Sequence, residues 1–305
     1  MVIAVDDTLQ APAPRNISNS EVGTFLTCQR KWYYAHGMNI MPKNYGMALS
    51  RGIIGHEVLA AYYQAIQEGR TTEQAAHEAN LVLSSVIAQA EGQSLDMLIA
   101  LSALLQRYFQ WAPENDRNWT ILEVEKKYDL PLTPDFGYSL RLDLLVRDIT
   151  GEVLLVDHKF VYDFWTQQAI DMNAQMPKYL GTLRTNGFQV DRAIINQIRH
   201  RIKKAGNTDE ETFRRVPIKP STHEIRQVLR EQILASERIA ELHDMSQEEQ
   251  ANTVTRNMGP MTCRNCSFTD ICKGELMGGD QTLTIRLNYQ PNDYGYNDKR
   301  EALEN

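Results

Sequence analysis

Two acidic side chains and a lysine between residues 141 and 159 stand at the spacing that phosphoryl chemistry needs. Tyr138 to Arg147 and Glu152 to Phe160 alternate like strands, and Asp148, Thr150 and Gly151 supply a turn between them. With the turn centred on Thr150, Asp143 and Asp157 fall opposite each other on antiparallel neighbours, their Cβ atoms about 4.5–5.5 Å apart on one face. At about 5 Å and an effective dielectric near 20, two carboxylates repel by roughly 3 kcal/mol. A cation between them reverses the sign of that problem. Lys159 lies two residues beyond Asp157 and so points to the same face. Val153 and Leu155 precede it on that face and Leu154 and Val156 lie on the other, the pattern of a central, buried strand whose charged end marks a site. Carboxylate oxygens suit Mg2+ or Mn2+. Such an ion polarises a phosphoryl oxygen and acidifies a bound water, which a nearby lysine can orient. The plain alternative is a surface hairpin with scattered charges.

Two flanking elements carry compatible residues. In Gly52-Ile-Ile-Gly55-His56, His56 follows Gly52 by one helical turn, where glycine permits close approach to a sheet. A lone histidine on a helix is more often a satisfied core residue. Gln175 and Tyr179 are also one turn apart, and Pro177 between them places the helix start near Gln175. Glu123 or Glu125 could add a carboxylate, and the sequence does not choose between them.

Four cysteines remain: Cys28, then Cys263, Cys266 and Cys272 in a C-x2-C-x5-C arrangement. Read as an intracellular chain, this points to metal in preference to disulfides or free buried thiols. Structural Zn2+ and a [4Fe–4S] cluster both accept four thiolates, and spacing does not separate them. Cys28 is followed by Gln29-Arg30-Lys31-Trp32-Tyr33-Tyr34, a basic–aromatic run that would suit a nucleic-acid strand or would pack beneath the metal centre.

The ordered set G-x-x-x-H, Asp at a strand end, D-x-K and Q-x-x-x-Y resembles the RecB-type branch of the PD-(D/E)XK nucleases over residues 50–200, and the cysteines extend the resemblance to 20–280. The one-plus-three cysteines resemble the iron–sulfur clasp of AddB-type and CRISPR-adaptation nucleases. The resemblance implies a restriction-endonuclease-like core and Mg2+ or Mn2+ held by His56, Asp143, Asp157 and the His158 carbonyl. It makes Lys159 the catalytic lysine, with Gln175 and Tyr179 supporting the site and contacting DNA. Cys28, Cys263, Cys266 and Cys272 would hold [4Fe–4S]. Arg30, Lys31 and Trp32 are the accompanying candidates for DNA contact.

The elements that must position these residues form an α/β pattern, a small mixed sheet flanked by helices. Residues 1–15 read as a mobile leader, and 16–49 as a segment with a helix from Glu21 to about Tyr34, capped by Ser18 or Ser20 and carrying the first cysteine. Residues 50–118 are a helical insertion with helices over Ser50–Gln67 and most of Thr71–Trp111, and 119–205 the nuclease core. The core runs through strands Thr120–Leu130 and Arg192–Arg199 and a helix over about Asp171–Thr185. Residues 206–260 read as helical, with a long helix from His223 to about His243, 261–279 as the cysteine segment and 280–305 as an extended tail.

A 42% hydrophobic fraction in 305 residues supports a buried core without disulfides. No apolar run approaches the roughly 20 residues needed to span a bilayer, and the first residues lack a secretory pattern, so a cytoplasmic protein is expected. A net charge of −7 argues against indiscriminate coating of nucleic acid, yet permits positive charge confined to one groove. Arg199, Arg201, Lys203, Lys204, Arg214 and Arg215 form a local basic stretch, ordinarily a solvated face. The expected function is a metal-dependent DNA exonuclease or end-processing nuclease acting on single strands or duplex ends. The rival is a non-catalytic DNA-binding subunit of a recombination or CRISPR-adaptation complex; a weaker third is a zinc-bound interaction protein.

Overall fold

In the computed structural model, which describes residues 16–43, 47–201 and 206–292, the chain begins with β1 (Asn16–Ser18), α1 (Asn19–Thr27), α2 (Gln29–Trp32), a π-helical turn (Tyr33–Gly37) and β2 (Ile40–Pro42). Three long helices follow, α3 (Met47–Gln67), α4 (Thr72–Ile87) and α5 (Gly92–Asp116), then strands β3 (Trp119–Pro131), β4 (Gly137–Asp148) and β5 (Val153–Val161). Next come α6 (Gln167–Asp171), α7 (Gln175–Thr185), β6 (Arg192–Arg199), β7 (Phe213–Ile218) and α8 (Thr222–His243). The last elements are α9 (Gln247–Thr253), α10 (Pro260–Cys263), α11 (Thr269–Leu276), α12 (Thr282–Asn288) and β8 (Tyr289–Pro291). The chain divides into two compact units, one drawn from the described residues of Met1–Asn44, Tyr128–Leu140 and Gln227–Asn305, the other from those of Tyr45–Lys127 and Arg141–Arg226.

The second unit is built on a mixed sheet. β4 and β5 are antiparallel with Leu144 opposite Val156 and Arg147 opposite Val153, the register that a turn centred on Thr150 dictates. Asp148 fixes that turn by accepting from the backbone N–H of Thr150 and of Glu152, and Gly151 takes the φ of 90° that other residues avoid. β6 lies parallel to β5, with Asp157, Lys159 and Val161 level with Ile195, Gln197 and Arg199. β7 closes the edge antiparallel to β6. One face of the sheet, with Leu144, Val146, Leu154, Val156, Ile194 and Ile198, packs under Val58, Tyr62, Leu101, Leu105 and Tyr108 of α3 and α5. α7 packs against β6 and carries Gln175 to the opposite face, so helices flank an α/β sheet as expected.

β7 departs from the reading of 206–260 as helical. Pro217 there lacks an N–H for the ladder, which an edge strand tolerates. The helix expected from Asp171 is two: α6 ends at Asp171, and α7 begins at Gln175, as Pro177 requires. The Thr71–Trp111 segment is likewise split near Gly92, which adopts a φ of 56°.

The first unit has its own core of Ile17, Val22, Phe25, Trp32, Tyr34, Ile239, Leu242, Phe268 and Ile271. Here β1 runs parallel to the first residues of β4, Asn16 beside Gly137. Ser18 caps α1 by accepting from the Glu21 N–H, but the helix expected to reach Tyr34 breaks at Cys28, whose backbone is extended. The reading of residues 280–305 as an extended tail is corrected over its described part. Thr282–Asn288 is helical, and β8 pairs with β2 through Tyr289 opposite Pro42. The expected leader 1–15, Lys203 and Lys204, and residues 293–305 lie outside the described residues. Among the described residues, no helix is long and apolar enough to cross a membrane.

Candidate metal centre and active site

Four elements of the second unit converge on one point. α3 delivers His56, and Gly55 before it makes the approach possible: a Cβ there would lie 2.3 Å from Phe160 Cζ of β5. Gly52, the other glycine of the pair, faces open space. β4 delivers Asp143 just past the last paired residues of the hairpin, and β5 delivers Asp157 and Lys159. β3 delivers Glu125 through a backbone φ of 47°, a left-handed kink inside a strand. Sequence left Glu123 and Glu125 as equals because period-2 alternation puts both on one face; the kink selects Glu125, and no residue type announces it.

The carboxylates of Glu125 and Asp143 lie 3.9 and 3.3 Å from His56 Nδ1. One ligand atom from each of these three residues lies within 4.8 Å of the others, a spacing that fits a metal ion. His56 Nδ1 is buried and faces Asp143 without the alignment of a hydrogen bond, as a nitrogen free to ligate would. Asp143 Oδ2 also accepts from the His158 N–H at 2.8 Å, which fixes the carboxylate. Beside this group, Lys159 Nζ sits 2.7 Å from Asp157 Oδ2 and 3.0 Å from Gln175 Oε1, while Gln175 Nε2 donates to Asp157 Oδ1 at 3.1 Å. Asp157 therefore stands with the lysine and the amide, next to the three-ligand group rather than within it.

The charges explain the arrangement. Burial opposes ionisation of Asp143, but His56, joined by Lys159, outweighs it and holds this carboxyl well below the usual range. At Asp157 burial wins, reinforced by Asp143, and the carboxyl is raised despite Lys159. Burial would discharge Lys159, yet Asp157 and Asp143 keep it firmly protonated. The result is an ionised carboxylate beside a histidine, and a lysine that remains a cation.

One expectation, DNA contact by Trp32, is corrected, and two other expected residues take defined places. The His158 side chain is on the opposite face of the sheet, stacked on Tyr63 with ring centroids 5.5 Å apart and 2.8 Å from Asn196 Nδ2. Burial pushes its imidazole down to about 3, so it stays neutral; its backbone N–H holds Asp143, and its ring lies edge-on to that of His56 with centroids 6.3 Å apart. Tyr179 is buried, and its hydroxyl is engaged by Gln175 and the Arg141 backbone. It braces Gln175, the supporting role expected of it. Trp32 is 0% exposed and donates to Glu21 Oε1. Arg30 is buried against the Ala251 carbonyl, and Lys31 lines the cysteine cavity. The Arg30–Trp32 run thus belongs to a core, because a basic–aromatic sequence reads the same whether its rings face solvent or not.

In the first unit the four thiols of Cys28, Cys263, Cys266 and Cys272 all line one cavity of about 240 Å³. Arg30, Lys31, Arg256 and Lys273 border the same space, a positive surround suited to the negative charge of a tetrathiolate centre. The break at Cys28 is what turns its sulfur out of the α1–α2 stack, and its Sγ accepts from the Asn257 N–H at 3.4 Å.

Among solved structures, the crystal structure of SSO0001 is similar over 86% of this chain and 88% of that chain, at 12% identity and a TM-score of 0.40. No curated protein matches the sequence. Residues 16–273 match the PD-(D/E)XK nuclease superfamily, whose members are in general nucleases dependent on divalent metals. The aspartate at a strand end, the D-x-K that follows it across a hairpin and a family match over most of the sequence lead to one conclusion: this chain belongs to the PD-(D/E)XK nuclease superfamily.

Proposed function

We propose that the chain is a metal-dependent DNA exonuclease or end-processing nuclease that hydrolyses phosphodiester bonds in single-stranded DNA or at duplex ends. The observation that carries this reading is the convergence of His56, Glu125 and Asp143 beside a protonated Lys159. These three side chains would hold Mg2+ or Mn2+, with Asp157 completing the acidic wall. A divalent ion held there polarises the phosphoryl oxygen and lowers the pKa of a water. Lys159 donates hydrogen bonds to Gln175 Oε1 and Asp157 Oδ1, which fixes the ammonium and leaves its third N–H to orient the attacking water and offset charge at phosphorus. Tyr179 holds Gln175, and His158 holds Asp143 through its backbone, so the site is rigid without substrate.

A [4Fe–4S] cluster is the better occupant of the cysteine cavity. Four thiolates around one zinc at about 2.3 Å stand roughly 3.8 Å apart, whereas among the described residues no three of these sulfurs lie within 4.8 Å of one another. Absorbance near 400 nm in anaerobically purified protein supports the cluster, and a colourless zinc protein opposes it.

The activity test is end-labelled DNA incubated with Mn2+, with and without EDTA. Asp143→Ala, Asp157→Ala and Lys159→Met each reduce cleavage by about 10²–10³-fold or more while keeping a cooperative melting transition. Cleavage at the wild-type rate by any of the three contradicts the assignment. A wild-type protein that binds DNA but never cleaves it favours the non-catalytic subunit.

A further inference from the structure

The basic residues after β6 are organised around the catalytic strand in a way that a solvated face does not require. Lys159, Gln197 and Arg214 are level across β5, β6 and β7. Side chains paired across a sheet share a face, and neighbouring strands lie about 4.8 Å apart. The row of donors therefore runs from the catalytic lysine to Arg214 over roughly 10 Å. Arg199 stands on the same face two residues farther along, level with Val161.

Above this row lies the segment Tyr162-Asp-Phe-Trp165 that leaves β5. The Phe164 ring is flanked by two guanidinium groups, Arg199 at 5.1 Å and Arg214 at 4.5 Å from its centroid. The Tyr162 ring is 65% exposed with the Arg201 guanidinium 5.6 Å away. One carboxylate, Asp163, pairs with Arg199 at 3.1 Å and Arg201 at 2.7 Å, and among the described residues Arg214 has no acidic partner. Arg214 is spent instead on the Trp165 carbonyl and Gln197 Oε1. Buried donors remain without acceptors: Gln197 Nε2, Arg199 Nε and Nη2, and Arg214 Nε. Unmet buried N–H groups are costly in a folded protein. A surplus of such donors beside the exposed Tyr162 ring, continuous with Lys159, suits an anion that also carries flat faces.

We infer that Tyr162, Arg199, Arg201 and Arg214, with Phe164 held between two of the arginines, form a track for single-stranded DNA that leads a strand to Lys159, with phosphates on the arginines and a base on the exposed Tyr162 ring. This inference rests on the nuclease reading of the site. It moves the DNA-binding surface from the Arg30–Trp32 run, whose Arg30 and Trp32 are buried, to the face that carries the lysine. Single strands are favoured over duplex because the exposed Tyr162 ring, beside the Arg201 guanidinium, offers stacking that a paired base cannot use.

The test uses the full chain and two variants of exposed residues, Tyr162→Ala and Arg201→Ala, singly and together. Binding of a labelled oligothymidine of about 20 nucleotides is read by fluorescence anisotropy in EDTA, beside a duplex of equal length. The double variant is expected to bind the single strand at least tenfold more weakly, with a salt slope shallower by about 0.7 for each phosphate that is no longer neutralised. Its melting temperature and Mn2+ binding stay as in the wild type. Affinity within twofold of wild type, or weakening confined to duplex, overturns the track. Mn2+-dependent cleavage by the wild type is measured in parallel. If cleavage occurs and the double variant still binds normally, the track falls and the nuclease reading stands. If no DNA is cleaved, the nuclease reading falls while anisotropy still decides the track.

Discussion

Glu125 holds its place at a cost. A non-glycine residue with φ of 47° carries roughly 1–3 kcal/mol of backbone strain, which persists only where the surroundings impose it. Here the strained residue aims a carboxylate at His56 and Asp143. Glycine relieves that strain, so Glu125→Gly keeps the melting temperature at or above wild type while weakening Mn2+ binding by about tenfold or more. Calorimetry and a metal titration on the same sample check both signs. Loss of stability together with unchanged metal affinity would assign Glu125 a structural role.

At the scale of elements, Gly55 governs how closely α3 approaches β5. A Cβ at that position meets three Phe160 ring atoms between 2.3 and 2.9 Å. Gly55→Val therefore costs about 1–3 kcal/mol and displaces His56, so thermal melting falls and Mn2+ affinity falls with it. Melting equal to wild type would show that α3 has room to shift. The hairpin of β4 and β5 and the Asp143–Asp157–Lys159 set were legible in sequence because alternation, an Asx turn and a glycine all agree there. β7 was not legible: Arg214, Arg215 and Pro217 erase the apolar alternation, and what holds the strand is tertiary. Arg215 lies between Trp111 and Trp119 at 4.7 and 4.2 Å from their centroids and pairs with Asp116, partners scattered along the chain. The fate of Trp32 was equally hidden, since its acceptor Glu21 and its neighbour His243 are far apart in sequence.

For the whole molecule, the proposed cluster would join Cys28 of the first helices to the segment of Cys263, Cys266 and Cys272 more than two hundred residues later. Closing so long a loop removes much entropy from the unfolded chain, so Cys28→Ala loses the visible absorbance and lowers the melting temperature. Absorbance and melting both unchanged would refute a cluster with Cys28 as ligand. The same unit has an acid-sensitive joint. Burial favours neutral Glu21, but His243, His36 and the Trp32 N–H outweigh it and keep the carboxyl below its ordinary range. A depressed pKa in the folded state stabilises above the unfolded value of about 4.3 and is lost as pH falls through the folded one. Glu21→Gln accordingly lowers the melting temperature most near neutral pH, and the gap to wild type closes below about pH 4. A gap independent of pH would contradict this origin.

The most direct measurement is Mn2+ binding followed by electron paramagnetic resonance, because the account rests on three side chains from α3, β3 and β4 converging on a cation. The wild type should show a single tight site that Asp143→Asn and His56→Ala each abolish and Lys159→Met leaves in place. Equal Mn2+ binding by wild type and Asp143→Asn would contradict it.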